Sequence, residues 1–207
     1  MVEMHLLAVN VDFRYDPIYA LGVVTTFDRF MQGYRPENDK ASIFNALCQA
    51  LESDPQQYRR DAEHLLSLAS QHSWETLLIP DAVIGLPEAD GLRGVLQTIR
   101  SAHAAQDRFK YSRLFAIGLF TMLETSNPDI AKDEAKLVDA LKKVCQSLNL
   151  SEDKMQKDLE LYRSNLEKMN QVQLVMADAL AADRKKRAER AAAQAATDGS
   201  NAEAPKS

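Results

Sequence analysis

Residues 13–25 read FRYDPIYALGVVT and residues 109–121 read FKYSRLFAIGLFT, and these two similar stretches decide the predicted fold. After its opening aromatic and capping positions, each stretch is apolar on every side of a helix, which is typical of a helix buried at the centre of a protein. The two stretches align at a constant offset of 96 residues. We therefore predict an all-α fold, a helical bundle around two buried central helices.

Each central helix carries a patch of small residues, Ala20-x-Gly22 in the first and Ala116-x-Gly118 in the second. Glycine costs a helix about 1 kcal/mol relative to alanine, and the close approach of another backbone can offset that loss. We predict that the two central helices pack against each other and bury both glycines. The alternative is a surface recognition motif used twice, which would leave both glycines exposed.

The composition also favours helices. The chain has 207 residues, of which 45% are hydrophobic and only 7 are Gly and 7 are Pro, so it fits one domain with an appendage. Apolar residues at helical spacing follow Asp39, Pro55 and Gly91 and recur from Leu137 to Cys145, which predicts four amphipathic helices. The last of these is expected to end near Asn149.

Two segments are less regular. Residues 73–85 contain Trp74 and Pro80 within a short, interrupted apolar run, and we predict a structured loop there. Residues 9–13 alternate like a strand, but the sequence offers no second strand with which they could pair.

A long helix is predicted from Ser151, because the sequence contains no Gly or Pro from there until Gly199. Its apolar residues step by alternating four and three, as in a coiled-coil heptad. They are Met155, Leu159, Tyr162, Leu166, Met169, Met176 and Leu180, interrupted by Gln173. We expect a helical bundle at residues 1–150, a projecting helix at 151–190 and a disordered tail at 191–207.

The charge of the chain is unevenly distributed. The formal net charge is -5, but residues 184–207 carry six Lys and Arg against three Asp and Glu, which leaves 19 against 27 before them. An acidic body disfavours nucleic acid as a ligand, because phosphate binding needs a basic stripe on the folded surface.

The sequence lacks the common motifs of catalysis and metal binding. Its four histidines are scattered, and no two stand four residues apart, as metal ligands on one helix face do. There is no Gly-x-Ser-x-Gly elbow, no Gly-rich phosphate loop and no Cys-x-x-Cys. We predict a protein without enzymatic activity, metal or cofactor, in which Cys48 and Cys145 are reduced core residues.

One short run concentrates positive charge, and it consists of Arg184, Lys185, Lys186 and Arg187. One interpretation is a solvated helix end, where cations suit the negative pole of the helix dipole. The other is contact with a partner or with an anionic membrane surface, to which each basic residue contributes about 1 kcal/mol. Both remain open at this point.

Several passages resemble the thylakoid formation protein family of cyanobacteria and chloroplasts, also described as photosystem II biogenesis factors. The passages are residues 13–25, 54–59, 109–120 and 158–169. The resemblance covers most of the chain up to about Arg190. The family's usual N-terminal segment is absent here, and residues 2–7 are expected to continue a helix.

The resemblance implies an all-helical protein without known enzymatic activity that acts in photosystem II assembly or repair and in thylakoid membrane biogenesis. Its implied partners are an FtsH-type membrane protease, photosystem II components, or both. The implied location is peripheral, on the cytoplasmic side of the thylakoid membrane, with a soluble pool, or the stroma for a chloroplast form. The alternative function is a peripheral membrane-organising protein that binds anionic lipid through its basic helix end.

Six residues are candidates for partner contact. Tyr162 and Arg163 in the long helix come first, followed by Tyr15, Asp16, Tyr111 and Arg113 at the openings of the two central helices. The other interpretation of these residues is packing and capping within the bundle, since tyrosine commonly buries its ring and bonds its hydroxyl locally.

Overall fold

A computed structural model describes residues 2–82, 85–102 and 109–200, with side chains described as far as residue 190. The described residues contain helices and no strand, which confirms the predicted all-α class. The helices are α1 (Val2–Ala8), α2 (Pro17–Phe30), α3 (Asp39–Gln49), α4 (Pro55–Gln71), α5 (Trp74–Leu78), α6 (Asp90–Ala102), α7 (Arg113–Ser126), α8 (Pro128–Lys132), α9 (Glu134–Leu148) and α10 (Glu152–Ser200), with a 3-10 turn at Pro87–Ala89.

Helices α2 and α7 form the centre of the bundle and pack against each other at their glycines. Gly22 and Gly118 are both buried. A Cβ added to Gly22 would collide with the carbonyl oxygen of Leu114, and one added to Gly118 would collide with that of Ile18. The contact is reciprocal, and it confirms the prediction that the small patches allow two helix backbones to meet.

Both central helices begin in the same way. The Asp16 carboxylate accepts a hydrogen bond from the Tyr19 amide at 2.8 Å, and the Ser112 hydroxyl accepts one from the Phe115 amide at 3.0 Å. These side chains satisfy amides that a helix start leaves without partners. The ring of Phe13 packs edge-on against Tyr19, and Phe109 packs in the same way against Phe115, with ring centroids 4.9 Å apart in both pairs.

The similarity extends well beyond these two helices. Cys48 and Cys145 are 97 residues apart, and so are Glu52 and Asn149, which have positive φ angles of 54° and 57° after α3 and α9. The amide of Ser53 donates to the Cys48 carbonyl at 3.0 Å, and the amide of Leu150 donates to the Cys145 carbonyl at 2.9 Å.

The bundle therefore contains two similar three-helix units, together with α1, α5, α6 and α8. We call α2, α3 and α4 the first repeat, and α7, α9 and the start of α10 the second repeat. The two cysteines are free and buried in equivalent places, and burial raises the pKa of each thiol to about 11. They are core residues, as predicted.

The amphipathic helices α3, α4, α6 and α9 lie where the periodicity predicts them, and α9 ends just before Asn149. The loop prediction for residues 73–85 is wrong in part, because Trp74–Leu78 form α5. The Ser73 hydroxyl caps this helix by accepting from the Thr76 amide at 3.3 Å, and its three apolar residues are buried. Tertiary burial stabilises a turn too short to predict from periodicity.

The alternation at residues 9–13 does not form a strand. Val9 donates its amide to the His5 carbonyl at 3.2 Å, so this segment is the turn that ends α1. Val9 and Val11 are exposed.

The long helix α10 spans two units that are described separately, Met1–Ser164 and Asn165–Ser207. In the first unit, Met155, Leu159 and Tyr162 are buried, as the heptad spacing predicts. In the second, the helix continues to Ser200 and does not end near Arg190. The alanine-rich sequence after Arg190 explains this, because alanine has the highest helix propensity. Residues 201–207 of the predicted tail lie outside the described residues.

Candidate partner-binding surfaces

Tyr15 and Asp16 lie at the opening of the first repeat, but only Tyr15 reaches the surface. Asp16 is 8% exposed and caps α2. Its burial raises the pKa of the carboxyl to about 6, against the opposing effect of amide hydrogen bonds from Tyr19 and Ile18. Tyr15 is 36% exposed, and its hydroxyl donates to Asp61 at 2.6 Å. Asp16 is thus a structural residue.

The raised pKa of Asp16 predicts a pH-dependent stability. Its ordinary pKa is 3.8, so the folded state binds the proton of this carboxyl more tightly than the unfolded state does. Protonation therefore stabilises the fold at low pH, and this contribution is lost as the pH rises through about 6. We expect the free energy of unfolding of the wild type, relative to Asp16→Asn, to fall by about 2 kcal/mol between pH 4.5 and 7.5. Urea unfolding of both proteins across this range measures it. A constant difference would show that Asp16 titrates normally.

At the opening of the second repeat, the structure brings Tyr111 and Arg113 together on one carboxylate. The Tyr111 hydroxyl donates to Asp158 at 3.1 Å, and Arg113 Nε donates to the same residue at 3.2 Å. The amide of Arg113 also donates to Glu3 at 2.8 Å. The Lys154 ammonium lies 4.6 Å from the centroid of the Tyr111 ring. This cluster ties α1, α7 and α10 together.

Tyr162 and Arg163 are neighbours in sequence but point to different sides of α10. Tyr162 is 3% exposed, packs on Phe30 with ring centroids 6.4 Å apart, and lies beside the ion pair of Arg29 and Glu124. Burial raises the pKa of its hydroxyl. Its burial makes Tyr162 a core residue, whereas the exposed Arg163 can contact a partner.

The second unit presents a different surface. Four apolar side chains of α10 are 57–68% exposed, and together we call them the distal apolar face. They are Val172, Val175, Met176 and Leu180. At 100° per residue they fall within about 140° of the helix circumference, so they form one stripe. Leu174 is also 67% exposed but points to the opposite side.

The heptad pattern predicted only two of the four members of this stripe, on a helix that the sequence predicts to project from the bundle. Met176 and Leu180 belong to the predicted seam, and both are 59% exposed, in contrast to Met155 and Leu159. Val172 and Val175 lie outside the seam. Val172 and Val175 stand three residues apart, and Met176 stands four residues from both Val172 and Leu180. This spacing was the available signal, but apolar spacing alone does not tell whether the covering surface comes from the same chain.

The basic run lies on the same helix, beyond the distal apolar face. The side chains of Arg184, Lys185, Lys186 and Arg187 are all exposed. Arg187 follows Leu180 by two helical turns on the same side, and its Nε donates to Asp183 at 2.9 Å. Apolar and basic side chains therefore share one side of this helix.

Neither a metal site nor a membrane span is found in the part of the chain that the structure describes. No group of three His, Cys, Asp or Glu side chains there could hold a metal ion. None of the helices described is long and apolar enough to cross a bilayer.

Comparisons with known proteins agree with this architecture. A family model described as "Thylakoid formation protein" matches residues 1–191. The chain is 61% identical to Protein Thf1 of Trichormus variabilis over 92% of its own length and 80% of the relative's. It is 60% identical to Protein Thf1 of Nostoc sp., with the same shares covered. The solved structure of Psb29 is similar at a TM-score of 0.72 and 40% identity, over 90% of this chain and 84% of that one.

Proposed function

The chain belongs to the thylakoid formation protein family, and on that premise we propose that it is a non-enzymatic accessory factor that binds and stabilises an FtsH-type protease complex. The family is linked to thylakoid formation and to photosystem II. The proposed role is in photosystem II assembly or repair, at a peripheral position on the cytoplasmic side of the thylakoid membrane.

The observation that carries this proposal is the exposure of the distal apolar face. Soluble proteins rarely leave a continuous apolar stripe in water unless another surface covers it. Apolar side chains spaced three and four residues apart on one helix match the way a helix is recognised in a groove or by another helix. A protein partner would bury Val172, Met176 and Leu180 together.

Affinity purification tests the identity of that partner. The full chain, tagged and expressed in cyanobacterial cells, is recovered after mild solubilisation of thylakoids, and co-purifying proteins are quantified by mass spectrometry. We expect FtsH-type subunits to be enriched over an unrelated helical protein carrying the same tag. Enrichment of photosystem II subunits without the protease would contradict the proposed partner.

Direct binding to anionic lipid is the second candidate function, and the exposed basic run beside an apolar face favours it. Each basic residue near an anionic surface contributes about 1 kcal/mol, so four together can hold a helix on a membrane.

Vesicle co-sedimentation tests the lipid function. We expect the wild type to sediment with vesicles containing anionic lipid and not with uncharged vesicles. Replacing Arg184, Lys185, Lys186 and Arg187 by Gln should reduce the bound fraction at least tenfold, because about 4 kcal/mol of attraction is removed. Unchanged sedimentation of this variant would leave the basic run as a solvated helix end.

A further inference from the structure

A cavity of about 270 Å³ lies in the first repeat, between α1 and the beginning of α4. Four aromatic rings line it, together with the Ser53 hydroxyl and apolar side chains from α1. The rings are those of Phe13, Tyr15, Tyr19 and Tyr58. They pack edge-on against one another, with centroids 4.9–6.3 Å apart. A cavity of this size can hold a small organic molecule.

The cavity is suited to a positive charge. The faces of aromatic rings carry negative potential and attract ammonium groups placed over them. The carboxylate of Asp61 accepts the Tyr15 hydroxyl at 2.6 Å, which adds negative charge close to this cluster. None of the residues that line the cavity is Lys or Arg. Within the described part of the chain, no Lys or Arg lies over the rings of Tyr15, Tyr19 or Tyr58.

In the second repeat, a lysine of the chain lies against the tyrosine that corresponds to Tyr15. Tyr111 corresponds to Tyr15, and its hydroxyl is likewise bonded to a carboxylate, that of Asp158. The Lys154 ammonium lies 4.6 Å from the centroid of the Tyr111 ring. At the offset of 97 residues, the position of Lys154 is occupied in the first repeat by Gln57, which is exposed.

Further substitutions enlarge the aromatic cluster of the first repeat. Tyr19 stands where the second repeat has Phe115, and Tyr58 stands where it has Met155. The first repeat thus has more aromatic and hydroxyl groups and no counterpart of the exposed Lys154 over its tyrosine rings.

We propose that this cavity binds an alkylammonium group from outside the fold, in the role that Lys154 fills in the second repeat. The ammonium lies against the tyrosine rings near Asp61, and the alkyl chain lies along the apolar wall formed by α1. Both a free amine and a lysine side chain carry this chemistry.

The first test compares a cation with a neutral molecule of the same shape. The full-length protein is titrated with n-butylammonium chloride or with n-butanol, and the backbone amide signals of Tyr15, Ser53 and Tyr58 are followed by NMR. We expect n-butylammonium to shift these signals and to bind about tenfold more tightly than n-butanol. Equal affinity for the two molecules would overturn the proposal.

Variants at Gln57 provide the second test without disturbing the fold, because this side chain is exposed. Gln57→Lys supplies an ammonium of the chain at the position that corresponds to Lys154, and we expect it to weaken n-butylammonium binding at least tenfold. Gln57→Met has similar length and no charge, and should bind as the wild type does. Equal binding by the two variants would contradict the proposal.

The source of the ammonium is resolved by one more probe. N-acetyl-lysine methylamide presents the same group on a peptide unit. Tighter binding than n-butylammonium would support a lysine of a partner protein, and weaker binding would support a free amine. Failure of both probes to shift the three amide signals would overturn the proposal.

Discussion

We expect Gly22→Ala and Gly118→Ala each to lower the free energy of unfolding by about 3 kcal/mol. The new methyl would meet the carbonyl oxygen of Leu114 in the first variant and that of Ile18 in the second. These are backbone atoms of a buried helix, which cannot rotate away as a side chain can. The central helices must therefore separate.

The control is the same substitution where space is free. A Cβ added to Gly94, in the middle of α6, meets no atom within 4 Å. Gly94→Ala should stabilise the protein by up to about 1 kcal/mol, the difference in helix propensity. Thermal unfolding should show losses of about 6–12 °C for Gly22→Ala and Gly118→Ala. Wild-type stability in either would mean that the two central helices are not in backbone contact.

The second large effect concerns partner binding. We expect the triple variant Val172→Gln, Met176→Gln and Leu180→Gln to lower recovery of the FtsH-type protease at least tenfold in affinity purification. Burial of each such side chain stabilises a complex by about 1.5–3 kcal/mol, and about 1.4 kcal/mol already corresponds to a factor of ten. Each of the three is more than half exposed, so the fold should not depend on it.

Leu174→Gln is the matched control for this experiment. Leu174 is as exposed as the distal apolar face but lies on the other side of α10. Its substitution removes the same kind of apolar group from the same helix, and recovery should stay within about twofold of the wild type. Equal recovery by the triple variant and Leu174→Gln would exclude the distal apolar face as the contact surface.

The centre of the fold could be predicted from sequence because two local signals agree there. The apolar residues of α2 and α7 surround the helix, and each helix contains a glycine that would be unfavourable without a close neighbour. The structure confirms that Gly22 and Gly118 are buried in a reciprocal contact. The full duplication was harder to see, because the offset changes from 96 to 97 and most paired residues differ, as Tyr58 and Met155 do.

The candidate site was less predictable because exposure depends on tertiary packing. The heptad pattern of α10 continues past residue 165 with one interruption at Gln173, yet Tyr162 is buried and Leu180 is exposed. Tyr162 is buried because Phe30 packs on it and the Arg29–Glu124 ion pair lies beside it, and all three come from distant parts of the chain. Similarly, the sequence identifies Asp16 as a helix cap, but it does not show that Asp16 is buried.

The lifetime of the FtsH-type protease in cells tests the proposed stabilising role most directly. After protein synthesis is stopped, protease abundance is followed in four strains: the wild type, a strain lacking this protein, and strains with the triple variant or Leu174→Gln as their sole copy. We expect the triple variant to match the deletion strain, with a shortened lifetime, and Leu174→Gln to match the wild type. An equal protease lifetime with and without this protein would contradict the proposed function.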